Sequence, residues 1–295
     1  MKLKKIICAI LAIMTLAFCC VGCGKSGSES SIPETANVAS EVNATYTDMF
    51  FVTKGVIAFK TAENRIGLVG TGLKELVKAE YTDVKYCEAN GVCILTKADG
   101  TQVSYDIESG KFTDAVCAHG GYEPILWDAA SKAPVLPDGS ALSKSDYPEK
   151  GQSTLVYDSA AGKYGIMDSD GKLITEPIYE AARDFVGGVA AVKKDGFWGY
   201  VTMEGKEIVG FYYSDAYESV SCMTSGNTAF DMYNGEVAVN REGFMSGIFN
   251  QKSDMICKFV YREIIPFGDG TYVARYSDGK WFFGTAKALN DREQK

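Results

Sequence analysis

The side chains that could do chemistry in this sequence are few and scattered. Its one imidazole, His119, lies in the irregular stretch Cys117-Ala118-His119-Gly120-Gly121-Tyr122. A Ser or Cys nucleophile needs a base that a third group holds in place, and no triad signature surrounds His119. Zinc needs clustered ligands, and one His beside one Cys does not supply them, so no metal and no cofactor is expected. Beyond residue 23 the cysteines are Cys87, Cys93, Cys117, Cys222 and Cys257. They show no CxxC spacing and are odd in number, so one chain cannot pair them all. Cys87 is open to pairing with another, whereas Cys93 and Cys257 sit in apolar phrases and read as buried thiols. The 38 acidic residues allow a carboxylate pair of the glycosidase kind. Most of them, however, occupy turns or exposed strand positions, where solubility accounts for them. The run Gly67-Leu68-Val69-Gly70-Thr71-Gly72 lacks the strand-to-helix context and the Lys-Ser/Thr pair of a phosphate loop, and reads as a β-turn. Aromatic platforms for sugars remain. Trp198 and Trp281 recur at one position of a repeated phrase and are expected to pack between units. Trp127, in Tyr122-Glu123-Pro124-Ile125-Leu126-Trp127-Asp128 outside that phrase, is the aromatic best suited to meet a ligand. No catalytic residue is assigned and no catalysis is expected.

The segments that must position these groups begin with an export signal. Lys2, Lys4 and Lys5 precede an apolar run from Ile6 to Phe18. As a helix that run rises only about 20 Å, short of the roughly 30 Å hydrocarbon core, so residues 1–22 read as a signal peptide. The run closes on Cys20-Val21-Gly22-Cys23 and turns polar at once. This resembles the lipobox of bacterial lipoproteins, with Cys20 standing where Leu is usual. The resemblance implies that Cys23 carries diacylglycerol and becomes the first residue after cleavage, with palmitate-type acyl chains holding the protein on the outer face of the cell membrane. Cleavage would remove three lysines and no acid, leaving 27 basic against 38 acidic side chains. That balance excludes a nucleic-acid partner, which would need Lys/Arg patches. Residues 24–45 hold no aromatic and are rich in Ser, Glu, Ala, Thr and Asn, so residues 23–45 are expected to be a lipidated cysteine and flexible tether.

Residues 46–295 carry a repeated phrase: Gly, four mostly apolar residues, a turn pair, then an apolar or aromatic residue beside Gly. Gly188-Val189-Ala190-Ala191-Val192 with Asp195-Gly196 and Phe197-Trp198-Gly199 is its clearest copy. Turn residues at 64, 100, 162, 196, 243 and 279 are separated by 36, 62, 34, 47 and 36 residues, a period near 35 with two insertions. Short runs of Val, Ile, Tyr and Phe around Asp-Gly pairs are hairpins, and a three-stranded unit must stack on neighbours to bury its apolar face.

Tyr164-Gly165, Asp168, Gly171-Lys172, Tyr179, Phe185, Gly188 and Trp198-Gly199 resemble, in that order, the WG-repeat (KWG) family. Phe267, Gly270 and Trp281 match in the last copy, where Phe282 replaces the expected Gly. The resemblance is clear over residues 163–284 and faint before them. It implies an all-β architecture and supplies no catalytic residue. About six units are expected in a propeller-like ring, an open β-repeat stack being the alternative. The insertions, roughly 105–150 and 212–232, are the natural places for ligand-specific loops. The expected role is a protein-interaction or binding module at the cell envelope. The alternative is a binder of wall glycan or a glycan hydrolase using paired carboxylates, and a purely structural role is the third reading.

Overall fold

Short runs of β-branched and aromatic residues, punctuated by turn residues that reach positive φ, fold into strands throughout the described residues. The computed structural model describes residues 34–117, 125–220, 226–241 and 245–292. A single 3-10 turn, Glu34–Asn37, and the two-residue β1 (Ser40–Glu41) come first. The first sheet is β2 (Asp48–Thr53), β3 (Val56–Lys60), β4 (Ile66–Gly70) and β5 (Lys74–Tyr81). The second is β6 (Asp83–Cys87), β7 (Val92–Thr96), β8 (Gln102–Asp106) and β9 (Lys111–Thr113). The third contains β10 (Ile125–Asp128), β11 (Ala133–Val135), β12 (Ser153–Asp158), β13 (Lys163–Asp168) and β14 (Leu173–Tyr179), with β10 pairing parallel to β12.

Next come β15 (Ala181–Ala182), β16 (Val189–Lys194), β17 (Phe197–Thr202) and β18 (Glu207–Ser214). A small separate hairpin, β19 (Tyr217–Ser219) and β20 (Gly226–Thr228), interrupts the series. Then β21 (Glu236–Arg241), β22 (Met245–Asn250) and β23 (Met255–Tyr261) join edge to edge with β18, so two repeats share one seven-stranded sheet. The last sheet is β24 (Glu263–Pro266), β25 (Thr271–Arg275) and β26 (Trp281–Thr285), followed by helix α1 (Ala286–Arg292).

Five of the six landmark turns fall between the paired strands β3–β4, β7–β8, β12–β13, β16–β17 and β25–β26, and the sixth, at 243, lies outside the described residues. At Asp195-Gly196 both φ values are positive, 53° and 82°, the geometry whose twist matches the flanking strands.

Four units share one irregularity. Their pairings run Ile66↔Tyr81 then Leu68↔Val77, Tyr164↔Tyr179 then Ile166↔Thr175, Trp198↔Tyr213 then Tyr200↔Val209, and Ser246↔Tyr261 then Ile248↔Cys257. In each, the third strand bulges opposite a single residue of the second strand, and that residue is Gly67, Gly165, Gly199 or Gly247. A Cβ there would lie 2.5 Å from Phe59 Cζ, 2.7 Å from the Thr175 oxygen, 2.8 Å from Phe211 Cδ1 or 3.0 Å from the Cys257 oxygen. The glycine at this repeat position, which follows an aromatic residue in Tyr164-Gly165 and Trp198-Gly199, is therefore the residue over which the bulge closes. The last sheet pairs without register shifts, and its third strand is the two-residue β1. That regularity accounts for Phe282 in place of Gly.

β1 lies antiparallel to β26, with Ser40 opposite Phe283 and Glu41 opposite Phe282, and the Val42 amide donates to the Trp281 oxygen at 2.8 Å. The Gly55 amide reaches the Phe267 oxygen at 2.6 Å, tying the first sheet to the last. The two ends of the array thus meet, as a ring requires and an open stack does not, although no single sheet closes on itself. One buried cluster runs through the first, seven-stranded and last sheets, from Phe51 and Val69 through Tyr200 and Val239 to Phe283. Others join the first sheet to the second and the third to the seven-stranded sheet.

These contacts correct the expected tether. Residues 34–45 belong to the folded body: Ala36 and Val42 are buried. Small apolar side chains and backbone pairing suffice there, because β26 presents an unpaired edge.

Candidate binding groove

One of the two breaks in the repeat period falls where the two repeats of the large sheet meet. β18 and β21 pair only through Tyr213↔Arg241 and Ser214↔Asn240, and a depression of about 580 Å³ opens over the sheet face beside them. Phe197 of β17, Phe211 and Tyr213 of β18, Phe249 of β22, and Met255 and Phe259 of β23 line it. Its floor is held by packed rings: Tyr213 stacks on Phe259 at 6.2 Å and meets Phe249 at 5.8 Å. Its upper rim is open to solvent, with Tyr212 72%, Met255 49% and Phe197 38% exposed. Phe211 and Phe259 occupy one repeat position, two residues before the tyrosine that resumes pairing after the bulge, Tyr213 or Tyr261, and they cover Gly199 and Gly247. The repeat therefore places two aromatic rings side by side. Cations flank them: Lys194 Nζ is 5.9 Å from the Phe211 ring, and Arg241 lines the opposite wall. Burial raises the Tyr213 phenol, and the Arg241 charge opposes that shift, so at neutral pH the phenol is protonated and the groove offers apolar surface beside positive charge.

The described part of the 212–232 insertion beyond β18 packs inward through Tyr217, Phe230 and Met232, contrary to its expected place as a ligand loop. Phe230 and Met232 are buried; Tyr217 stacks on Phe230 at 4.4 Å, and Phe51 of the first sheet packs edge-on against both. Arg183, between β15 and β16, grips Asp231 through Nε at 2.6 Å and Nη2 at 2.9 Å. The Tyr233 hydroxyl donates to the same carboxylate at 3.2 Å, and the Tyr200 hydroxyl donates to the Phe230 oxygen at 2.8 Å. Burial would lower the Arg183 pKa, but hydrogen bonds and charge from Asp231 hold it above its usual value. Burial pushes Tyr217 up to about 12. The cluster fastens the insertion between sheets.

A second depression, about 680 Å³, lies where β24 and β25 meet β21 and is lined by Asn240, Arg262, Glu263 and Arg275. Burial, then the Asp48 charge, pushes Glu263 up to about 7, with Arg275 opposing. Arg275 Nη1 reaches Asp48 Oδ1 at 3.4 Å. This is the carboxylate pair that composition alone could not locate.

The sequence-derived candidates distribute as follows. Cys23, His119 and Cys222 lie outside the described residues. Cys87 is bridged to Cys117 across a Cα separation of 5.5 Å, while Cys93 and Cys257 are thiols buried on β7 and β23. Trp127, the favoured ligand contact, is buried on β10 against Val156 and Met167, because the short β10–β11 hairpin extends the third sheet and adds its apolar face to that core. Trp198 and Trp281 are buried too. The Gly67-to-Gly72 run forms β4 and the turn after it. Among the described residues no three His, Cys, Asp or Glu side chains converge as metal ligands. The sequence reading missed the groove aromatics, whose signal was the pair Phe211-x-Tyr213 and Phe259-x-Tyr261 at equal distance after Gly199 and Gly247.

Residues 164–196 match the WG containing repeat family. The matched stretch starts in β13 and ends at the β16–β17 turn, so the family's repeat runs from one sheet into the next. No curated protein matches the chain. The chain is similar to solved structures at low identity. The β-propeller domain of Myceliophteria thermophila Cps50 (Swd1) aligns at 12% identity over 84% of this chain and 99% of that one, with a TM-score of 0.38. BamB from Moraxella catarrhalis aligns at 11% over 83% and 95%, with a TM-score of 0.31. A chain of the mitotic checkpoint complex aligns at 10% over 90% and 96%, with a TM-score of 0.36. With TM-scores this low, the architecture rests on the chain's own sheet pairings.

Proposed function

We propose that this chain is a non-catalytic β-repeat binding module, exported and lipid-anchored through Cys23 at the outer face of the cell membrane, that captures a segment of an envelope protein in the groove between β18 and β21. The observation that carries the reading is the groove's composition: exposed Phe, Tyr and Met beside Arg241 and Lys194. Aromatics, Met and Arg are the residues enriched at protein–protein contacts, and the flanking cations suit an apolar segment that carries acidic residues. The cross-link of Cys87 to Cys117 supports the exported location, since such bonds persist in oxidising compartments. The lipobox-like sequence before Cys23 supports the anchor, and loss of labelled-palmitate incorporation in Cys23→Ala tests it.

The binding test compares the wild type with a Phe197→Ser/Met255→Ser variant, two exposed positions whose change spares the core. Saturable capture of one envelope protein by the wild type, lost in the variant at unchanged melting temperature, is the expected result. Capture that survives the substitutions refutes the groove. Glu263, held near neutrality beside Asp48, favours a second reading, a glycan hydrolase with Glu263 as acid and Asp48 as base. Release of reducing ends from wall polysaccharide, abolished by Glu263→Gln, would establish it.

A further inference from the structure

The fourth and sixth units build the same cation–indole pair and finish it differently. Lys193 stands opposite Trp198 in the β16–β17 pairing, and Arg275 stands opposite Trp281 in the β25–β26 pairing. In both, the cation lies 5.7 Å from the indole ring, and both tryptophans are 3% exposed. In the fourth unit a carboxylate completes the arrangement: Trp198 Nε1 donates to Asp215 Oδ1 at 2.6 Å, and Lys193 Nζ donates to the same oxygen at 3.1 Å. Asp215 comes two residues after Tyr213, the residue paired with Trp198.

In the sixth unit Asp48 pairs with the cation, Arg275, but no carboxylate accepts from the indole of Trp281. The strand beside Trp281 is the N-terminal one, with the Val42 amide bonded to the Trp281 oxygen, and two residues after Val42 stands Ala44. Trp281 Nε1 and Arg275 Nε are both buried without a hydrogen-bond partner. Arg275 spends its Nη1 on Asp48, leaving Nε. A buried donor without an acceptor is costly, and a native structure normally satisfies it. Arg275, but not Trp281, borders the 680 Å³ depression, whose lining also includes Arg262 and Glu263, a volume suited to a small molecule.

We infer that the sixth unit is a binding site for a small carboxylic acid, whose carboxylate takes the place that Asp215 fills in the fourth unit, accepting from Trp281 Nε1 and Arg275 Nε. Arg262 supplies a second cation at the mouth, and the rest of the ligand occupies the depression toward Asn240. The site is separate from the aromatic groove and stands whether or not the groove takes a protein partner.

The chain has three tryptophans, so the full-length protein gives three indole N–H resonances, assigned by single Trp→Phe variants. The probes are N-acetylglycine with its amide, N-acetylglycinamide, and glucuronate with glucose. The expected result is a saturable shift of the Trp281 indole resonance by an acid and none by its neutral analogue, while the Trp198 resonance stays fixed as a control for folding. Response to N-acetylglycine alone assigns an amino-acid-like acid, response to glucuronate alone a uronic acid, and response to both the carboxylate itself. Arg275→Gln is expected to weaken the response on the order of tenfold, the worth of one charged hydrogen bond. The inference is overturned by no Trp281 shift at roughly 50 mM acid, which saturates even millimolar sites, or by equal shifts from the neutral analogues. It is also overturned if Asp48→Asn moves the Trp281 resonance in the ligand-free protein, because the acceptor would then be internal.

Discussion

Replacing Glu263 by Gln should flatten the pH dependence of stability over one defined window. The folded-state pKa of Glu263 is about 7, against 4.5 for an ordinary glutamate. Below pH 4.5 the carboxyl is protonated in both states and imposes no penalty. As pH rises from there toward 7, the unfolded chain loses this proton first, so the wild type loses stability until the native carboxyl has also ionised. A difference of roughly 2.5 units, at about 1.4 kcal/mol each, bounds the loss at about 3.5 kcal/mol. Gln fills the same volume without a charge, so its stability relative to wild type should improve by up to that amount between pH 4.5 and pH 8. Urea unfolding at intervals across this range, followed by tryptophan fluorescence, measures the difference, and every other titrating group cancels in it. Arg275→Gln should enlarge the wild-type loss, because the Arg275 charge opposes the upward shift. Parallel curves for wild type and Glu263→Gln would refute the reasoning and return Glu263 to the behaviour of an exposed acid.

Two glycine substitutions at the bulges should differ in kind. Gly165→Ala sets a methyl 2.7 Å from a backbone oxygen and should cost about 3 kcal/mol, whereas Gly199→Ala meets the Phe211 ring and should be partly rescued by Phe211→Ala; thermal melts of the three variants test this. Asp231→Asn removes the charge that Arg183 grips inside the molecule and should destabilise by about 3 kcal/mol or more, read by denaturant titration. Reducing the bond between Cys87 and Cys117, 30 residues apart, should cost roughly 3–4 kcal/mol from loop entropy, seen as a lower urea midpoint in dithiothreitol.

The repeat period and the hairpin turns were legible because each depends on local chemistry: Gly or Asn at positive φ and β-branched residues beside it. The glycine of the repeated phrase was visible as a pattern, but its cause lies in the neighbouring strand, where Thr175 and Cys257 bring their carbonyls against the missing side chain. The sequence misled where long-range pairing overrode composition. Residues 34–45 look like spacer because they lack aromatics, yet β26, some 240 residues later, gives them a partner. The 212–232 segment looks like a surface insertion by its length, but Phe230 and Met232 bind it into the core. Trp127 stood outside the repeated phrase, and β10 turned out to be a sheet strand rather than a loop. Neither the groove nor the Asp48–Glu263 pair could be read in advance, since both join residues from separate units.

The pairing of β1 with β26 also sets an order of assembly. Among the described strands, the first in chain order belongs to the last sheet to be completed, so it must wait unpaired while the intervening units form. Closing a loop of some 240 residues is slow relative to forming the hairpins inside it, although its entropic cost grows only with the logarithm of length. A chain cut short before Trp281 leaves an exposed edge at each end of the array, and such edges invite pairing with other molecules. Completion of the body is thereby coupled to arrival of the final hairpin, and a partly synthesised chain announces itself to proteases and chaperones by two open edges.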